Sequence, residues 1–352
     1  MSDSHSNSGA LGLGRRRFIG LVSSAYLASA NALRADHHVI SAEPFEVEFD
    51  LASATSRYTP VYDFYVRDHF PVPATAPSSI EISGSVEQPI RLGASELGAL
   101  KRVELGAVLE CAGNPVSTNA LVSNGHWGGW RLADVVARAR PAAASTHILL
   151  YGRDRYARVI PITRLAEGAM LVCDLNGAPL QRSHGGPWRA FFPGWYGMDS
   201  VKWLERMVIV TEAPADASYS YHQIRRDASG IRTEPLPRIQ VKSIITAPRA
   251  GTSCSTGNIQ VRGLAWSGSG QIETVELSSN GGAHWQRVPF ENRPPAEWVS
   301  WNASVEARSR GALELMVRAR DSSGETQPQS PDPVRIDRYA NNWFHRVRVA
   351  VV

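Results

Sequence analysis

The C-terminal part of this chain carries the pattern that most restricts its fold. Short runs of alternating apolar and polar residues recur from Ile239 onward, separated by turns rich in Gly, Ser, Asn and Pro. Their spacing of roughly ten residues is typical of a β-sandwich. We therefore predict an immunoglobulin-like sandwich over residues 238–352, with strands at five places: 259–266, 272–277, 284–290, 313–319 and 345–352.

The preceding part of the chain, residues 36–237, mixes apolar strand-like runs with short amphipathic segments. The periods of these runs predict strands and helices in alternation, so we expect an α+β protein whose first domain is mixed α/β. Strands are expected at 105–109, 147–151, 156–162 and 169–173, a strand pair at 80–92, and helices at 94–100 and 131–138. Residues 213–237 show no apolar period and are predicted to be a long loop.

Length, charge and cysteine content limit the classes of protein that are possible. A chain of 352 residues is long enough for two domains. The net charge of +4 is small, and Lys and Arg occur mostly singly, which argues against a nucleic-acid partner. The three cysteines form no Cys-x-x-Cys motif, so the sequence does not support haem attachment, a zinc knuckle or a Cys-ligated iron–sulfur cluster.

Residues 1–35 are predicted to be a twin-arginine signal peptide. Arg15, Arg16 and Arg17 precede Phe18, Ile19 and a weakly apolar segment that ends in small residues suited to cleavage. The apolar segment is too short to serve as a permanent membrane anchor. A chance basic cluster is the alternative. The twin-arginine route carries folded proteins, so we expect a periplasmic protein whose cofactor is inserted in the cytoplasm.

Cys111 follows a predicted buried strand and precedes the small residues Ala112 and Gly113. A Gly- and Trp-rich loop is expected at 124–130. A lone cysteine after a core strand is most often a small buried hydrophobe. The alternative is a soft thiolate ligand in a cleft, where Gly113 would let a bulky group approach the backbone. Cys111 alone favours the first interpretation, and other segments of the chain favour the second.

Two further segments carry cationic side chains in extended or loop-like surroundings. Arg67 and His69 lie two residues apart before a proline-rich exit, so both side chains would face the same side and could reach one anionic ligand. The Gly- and Pro-rich stretch near His184, Arg189 and Lys202 offers donors for a phosphate or a pterin edge. Taken singly, each of these residues is more often a solvated surface side chain.

Together, four segments resemble the sulfite oxidase family of molybdenum enzymes, namely residues 64–73, 110–114, 184–203 and 265–270. They occur in the family's order and span nearly the whole chain after the predicted signal. The resemblance implies a molybdenum–molybdopterin cofactor without haem, with Cys111 as the thiolate ligand to the metal. It assigns the binding of the pterin and its phosphate to five residues: Asp68, His69, His184, Arg189 and Lys202.

The same resemblance implies roles around the substrate. Arg67 would lie beside the substrate, Trp127 would line the pocket, and either Tyr219 or Tyr221 would approach the metal. An arginine follows the Cys-Ala-Gly-Asn run in sulfite-oxidising members, whereas this chain has Pro115-Val116. Loss of that cation should weaken oxyanion binding by about 1–3 kcal/mol. Three other arginines are candidates to replace it: Arg153, Arg155 and Arg338.

A second departure from the family concerns Asp68, which stands where the family has asparagine, so that a carboxylate replaces an amide donor. The leading hypothesis is an exported, haem-free molybdopterin oxidoreductase that acts on a small oxyanion and passes electrons to a separate c-type cytochrome. One alternative keeps the cofactor but takes a sulfoxide or another small S- or N-oxide. A third hypothesis is a catalytically dead binding protein. The resemblance also implies a possible homodimer through residues 238–352.

Overall fold

The computed structural model describes residues 38–214 and 221–352. The predicted signal peptide and Tyr219 lie outside the described residues. Within the described ranges, no helix has the length and apolar character needed to cross a membrane. The chain is mostly β-strand, arranged in two parts that join near Ile239.

In addition to a hairpin at residues 222–235, the first part contains thirteen strands among the described residues. They are β1 (His38–Ala42), β2 (Phe45–Glu48), β3 (Val66–Arg67), β4 (Ile80–Gly84), β5 (Ile90–Leu92), β6 (Arg102–Glu110), β7 (Val122–Arg131), β8 (His147–Gly152), β9 (Ala157–Pro161), β10 (Met170–Leu175), β11 (Ala178–Pro179), β12 (Arg189–Phe191) and β13 (Leu204–Val210). The described α-helices are α1 (Ala94–Gly98) and α2 (Leu132–Ala137). The predicted helices are therefore present, but the domain is richer in strands than the mixed α/β prediction.

Two five-stranded sheets pack around the main core of this part. One has the order β11-β10-β7-β6 with β12 also paired to β10, and the other has the order β5-β4-β13-β8-β9. Between them lie fully buried apolar side chains, such as Ile82, Leu132 and Ile148, each 0% exposed. Helix α2 covers this core with the apolar face that its sequence predicts. A small third sheet, β1-β2-β3, lies beside them.

The segment 124–130 is a strand, so the prediction of a loop there is wrong. It forms the centre of β7, which pairs with β6 on one side and β10 on the other. Its glycines are needed because residues of the neighbouring strands approach the β7 backbone closely. A Cβ on Gly129 would lie 2.0 Å from the carbonyl oxygen of Leu171. Glycine in this strand therefore marks close backbone packing rather than a turn.

The loop predicted at 213–237 is also incorrect for most of its described length. Residues 222–235 form a two-stranded hairpin, β14 (His222–Asp227) and β15 (Gly230–Pro235). All residues of β15 are exposed, and β14 is at most half-buried. Since neither face is buried, the hairpin has no apolar alternation for sequence analysis to detect.

The second part consists of two sheets that share one core. Its strands are β16 (Lys242–Ala247), β17 (Ser253–Cys254), β18 (Gly257–Trp266), β19 (Ile272–Ser278), β20 (Gln286–Arg287), β21 (Val299–Ala307), β22 (Gly311–Asp321) and β23 (His345–Val351). The sheet orders are β16-β18-β21 and β17-β23-β22-β19-β20. Side chains of both sheets, including Val261 and Val317, form a single apolar cluster. Two facing sheets are present as predicted, while their immunoglobulin-like class stays a prediction.

Candidate functional site

Most of the predicted site residues meet in one cavity of about 210 Å³. It lies at the end of β6. Residues of β2, of β3 and of the loop that follows β11 contribute to its wall. The second part of the chain contributes Tyr339 to its wall. The predicted site residues that line the cavity are Arg67, His69, Cys111, His184, Arg189, Lys202 and Tyr221.

Cys111 is the first residue after β6, and the backbone around it is tightly fixed. Its N–H donates to the Leu121 carbonyl at 3.0 Å, and its own carbonyl accepts from the Asn114 N–H at 3.0 Å. The Asn114 side chain closes the loop, because its Oδ1 accepts from the Leu121 N–H at 2.9 Å. These bonds hold the Cys111 side chain toward the cavity, to which it is partly exposed.

The electrostatic surroundings of Cys111 suit a metal ligand better than a free nucleophile. Burial raises the pKa of the Cys111 thiol, although the Gly113 N–H and the charge of Arg67 act in the opposite direction. Such a thiol is deprotonated most readily when it binds a metal. Among the described residues, no three His, Cys, Asp or Glu side chains converge on a metal position. A metal at Cys111 would therefore need a cofactor to supply its other ligands.

A tight turn brings His184 and Lys202 together. The 3-10 helix Arg182–His184 ends at Gly185, which has a φ of 96°. A Cβ on Gly185 would lie 2.8 Å from the Cβ of Lys202, so only glycine allows this packing. The Trp203 N–H donates to the Gly185 carbonyl at 3.1 Å and secures the contact.

Arg189 is a buried cation with an unused donor. It is 3% exposed, and its terminal nitrogens donate to the carbonyls of His184 at 3.1 Å and Ser200 at 2.6 Å. Its Nε is buried and has no hydrogen-bond partner within residues 38–214 and 221–352. Burial lowers the pKa of Arg189 to about 10, which leaves the guanidinium charged at neutral pH. An unpaired donor on a buried cation fits an anionic group such as a phosphate.

Lys202 is held by Asp68, the residue that departs from the family. Lys202 Nζ lies 2.6 Å from Asp68 Oδ1 and 2.7 Å from the Ser183 carbonyl. Asp68 is 2% exposed and accepts this bond behind the cavity wall. Burial lowers the pKa of Lys202, whereas the Asp68 carboxylate opposes that shift. The carboxylate therefore orients the ammonium group, a role that an asparagine could fill only with a neutral oxygen.

The two histidines are neutral at physiological pH. Burial lowers the pKa of His184 to about 3, and the nearby charges of Lys202 and Arg189 add to the effect. Its Nε2 lies 3.3 Å from the Val61 carbonyl, which can only accept, so the proton resides on Nε2. Burial and Arg67 also lower the pKa of His69. Both rings can thus exchange hydrogen bonds with a cofactor without adding charge.

Arg67 already has an anionic partner. It forms an ion pair with Glu46, a cavity residue that is 8% exposed. Sequence analysis did not assign Glu46 to the site. The register that places Glu46 opposite Arg67 becomes visible only when β2 and β3 pair.

Tyrosines complete the far wall of the cavity. Tyr221 OH lies 3.3 Å from His69 Nδ1, and its ring packs against Tyr339 with centroids 5.2 Å apart. Tyr156, also in the wall, donates to the Met198 carbonyl at 2.9 Å. Of the two predicted tyrosines, Tyr221 is therefore the one placed at the cavity, and Tyr219 is not among the described residues.

Asp154 is a second acidic residue in the cavity wall that sequence analysis missed. It accepts a hydrogen bond from the Tyr156 N–H at 3.0 Å. Burial raises the pKa of Asp154 to about 6, and the Asp68 carboxylate adds to this shift, whereas the Tyr156 N–H and the Lys202 charge oppose it. The residue follows a Gly-Arg turn that carries no recognisable signal of a site.

Several predicted positions lie elsewhere. Trp127 does not line the cavity. It is 0% exposed, stacks on Phe191 with centroids 4.4 Å apart and donates from Nε1 to the Ala107 carbonyl at 3.0 Å. Val116 is 47% exposed and borders neighbouring grooves instead. Among the described residues that line the cavity, none is an arginine predicted to replace the missing cation: Arg153, Arg155 or Arg338.

The residues present fit a molybdopterin cofactor. A partly exposed thiol from Cys111 provides one soft ligand, and the orphan donor of Arg189 with the ammonium of Lys202 provides positive charge for a phosphate. The neutral imidazole of His184 adds a polar contact. This combination of one thiolate and several cations is the chemistry that a metal bound to a phosphorylated organic group requires.

Comparisons with known proteins agree with this arrangement. Residues 69–219 match the oxidoreductase molybdopterin binding domain, and residues 234–352 match the Mo-co oxidoreductase dimerisation domain. Sulfite oxidase of Gallus gallus is 31% identical over an alignment of 338 positions that covers 84% of this chain and 74% of the relative. Mitochondrial sulfite oxidase of Rattus norvegicus is 31% identical, and the chain covers 65% of its length.

A more distant relative and a solved structure extend the comparison. Nitrate reductase [NADH] 1 of Oryza sativa subsp. japonica is 31% identical over 83% of this chain and 38% of the relative. The sulfane dehydrogenase SoxCD of Paracoccus pantotrophus has a TM-score of 0.80 at 22% identity, covering 99% of this chain and 93% of that chain. At that identity the solved structure establishes the fold alone.

Proposed function

Because the chain belongs to the sulfite oxidase family of molybdopterin-dependent oxidoreductases, we propose that it transfers an oxygen atom to or from a small sulfur compound. The observation that carries this proposal is the convergence of seven predicted site residues on one cavity around Cys111. A binding protein with a dead site would not need a thiol, two buried cations and neutral histidines in one place.

We assign two groups of roles to the residues of the cavity. Cys111 would be the protein's thiolate ligand to molybdenum, while Arg189, Lys202 and His184 would hold the phosphate and the pterin edge. When bound, the cofactor supplies the two-electron redox centre. Arg67 and Tyr221 also line the cavity, where they would orient the substrate by hydrogen bonds.

The leading substrate is sulfite. Sulfite and water would give sulfate, two protons and two electrons. The sequence has no Cys-x-x-Cys motif for haem attachment, so we propose that two ferric c-type cytochromes accept the electrons in turn. The twin-arginine pattern at Arg15 and Arg16 supports a periplasmic location for this exchange. Residues 238–352 would form a homodimer contact.

A second substrate class is favoured by the surroundings of Arg67. Its ion pair with Glu46 reduces the positive charge available to an oxyanion. A neutral sulfoxide or N-oxide would not need that charge. Its reduction would consume two electrons and two protons and would release water together with the reduced product.

Two measurements test these proposals. Elemental analysis and mass spectrometry of the purified protein should find molybdenum and pterin, and their absence from correctly folded protein would overturn the cofactor assignment. Steady-state assays with sulfite and ferricytochrome c, and with a sulfoxide and a reduced dye, then separate the two substrate classes. Turnover in neither assay by cofactor-loaded protein would contradict both of them.

A further inference from the structure

We propose that Glu46 is a specificity-determining residue, which occupies Arg67 and thereby selects against substrates that carry two negative charges. This inference rests on the proposed function, because it concerns the substrate of the same cavity. It predicts that dianions such as sulfite bind less tightly than they would without Glu46, whereas a neutral or singly charged sulfur compound escapes most of this penalty.

The position of Glu46 is fixed by the backbone. Strands β2 and β3 pair antiparallel, with Glu46 directly opposite Arg67. The Asp68 N–H donates to the Phe45 carbonyl at 3.0 Å and extends this pairing to the next residue. Cross-strand neighbours of this kind have Cβ atoms about 4.5–5.5 Å apart, so opposite charges there interact directly. The Glu46 carboxylate therefore stays within reach of Arg67 as long as the two strands are paired.

The two partners of the ion pair differ in their exposure to solvent. The Glu46 side chain is 10% exposed, whereas the Arg67 side chain is 45% exposed. A buried carboxylate that loses its cation has little water to replace it, so Glu46 keeps its hold on Arg67. Arg67 lines the cavity, and its guanidinium has donors beyond the one that binds Glu46. A ligand can thus receive a hydrogen bond from Arg67, but it meets the negative charge of Glu46 beside it.

The other cations of the cavity are not available to bind an anionic substrate. Lys202 is paired with Asp68 at 2.6 Å. Arg189 is buried between the carbonyls of His184 and Ser200 and belongs with the cofactor. Among the described residues of the cavity wall, Arg67 is thus the cation left for a substrate. Since Glu46 offsets its charge, a dianion gains little attraction there, whereas a neutral oxide loses nothing.

The test measures sulfate binding to the cofactor-loaded enzyme by isothermal titration calorimetry at about pH 8, where sulfate is a dianion. Glu46→Gln removes the charge and keeps the shape, so sulfate should bind at least tenfold more tightly than to the wild-type enzyme. Glu46→Met gives a second neutral variant should the amide disturb folding. Thermal unfolding of each variant verifies that the fold is intact.

The matched control is Glu48→Gln, on the same face of β2. Glu48 is 3% exposed, accepts from Thr118 Oγ1 at 2.7 Å and does not line the cavity. This variant should bind sulfate like the wild-type enzyme. The double variant Arg67→Gln with Glu46→Gln should lose the gain, which separates the cavity from adventitious anion sites. Unchanged sulfate affinity in both Glu46 variants would overturn the proposal.

Binding and turnover distinguish this inference from the proposed function. If the enzyme turns over no sulfur compound, the proposed function fails, yet sulfate affinity still decides the role of Glu46. If turnover is found, Glu46→Gln should raise kcat/KM for sulfite relative to that for a neutral sulfoxide by about the same factor as the gain in binding. A ratio that does not change would contradict the role of Glu46 in specificity.

Discussion

The carboxylate of Glu110 accepts a hydrogen bond at 2.8 Å from the indole Nε1 of Trp266, which lies in the second part of the chain. Glu110 immediately precedes Cys111 and is 2% exposed. Lys242 Nζ, also from the second part, lies 3.4 Å from the same carboxylate, and the Ala340 N–H donates to the Ala112 carbonyl at 2.8 Å. The second part of the chain therefore helps to fix the Cys111 loop.

Trp266→Phe should remove the hydrogen bond to Glu110 while keeping most of the apolar packing. The substitution keeps an aromatic ring but removes the donor to Glu110, so the free energy of unfolding should fall by about 1–3 kcal/mol. Denaturant titration measures the loss. Trp285→Phe is the control, because Trp285 is only half-buried and packs on Arg318 and Phe344 without contacting Glu110. Equal losses in the two variants would contradict a specific role for Trp266.

Lys202→Met should lower the free energy of unfolding more than Asp68→Asn does. Removing Lys202 deprives the buried Asp68 carboxylate of its cation, and breaking a buried pair from one side costs about 3–5 kcal/mol. Asp68→Asn keeps the shape and leaves Lys202 its bond to the Ser183 carbonyl. Urea unfolding gives the stabilities, and molybdenum content should fall with Lys202→Met only. The opposite order of stabilities would show that the carboxylate does not depend on Lys202.

Asp154→Asn should become relatively more stable as the pH rises. Burial raises the pKa of Asp154 to about 6, above its ordinary value of about 3.9, so the folded state binds the proton more tightly than the unfolded state. That stabilisation is fully present below about pH 4 and is lost as the pH rises through about 6. The melting temperature of Asp154→Asn minus that of the wild type should therefore increase between about pH 5 and about pH 7.5. A difference that shrinks over this range would refute the assignment.

Replacement of Arg15 and Arg16 by lysines should retain the protein in the cytoplasm. The prediction follows from the Arg-Arg-x-Phe-Ile order ahead of a weakly apolar segment. Fractionation of expressing cells measures the distribution, and the wild-type chain is the control. Periplasmic accumulation of the double-lysine protein would mean that these arginines are not an export signal.

Much of the site could be predicted from sequence, because its residues occur in short motifs. Cys111 stands at the end of an apolar strand, and His184 and Lys202 flank a stretch dense in Gly and Pro. The structure brings these residues into one cavity. Several strands and both α-helices with a buried apolar face were also predictable, since burial imposes a period on the sequence, whereas the Gly-rich strand β7 was not.

The features of the site that could not be predicted depend on contacts between segments that are distant in sequence. Glu46 reaches the site through a strand register, and Tyr339 reaches it from the second part of the chain. Trp127 was expected at the pocket, yet strand alternation in β7 directs it into the core beside Phe191. Val116 could not be placed because the direction of its loop is set by Asn114 and by residues of the second part. No local pattern contains that information.

The central claim is that Cys111 is the thiolate ligand to molybdenum, and the most direct measurement counts sulfur ligands at the metal. X-ray absorption at the molybdenum edge should show one sulfur fewer in Cys111→Ser than in the wild-type enzyme, together with loss of turnover and a nearly unchanged melting temperature. Cys173 lies in β10 outside the cavity and accepts a hydrogen bond from Arg102, so Cys173→Ser should keep the sulfur count and the turnover of the wild-type enzyme. An unchanged sulfur count with retained activity in Cys111→Ser would contradict the account.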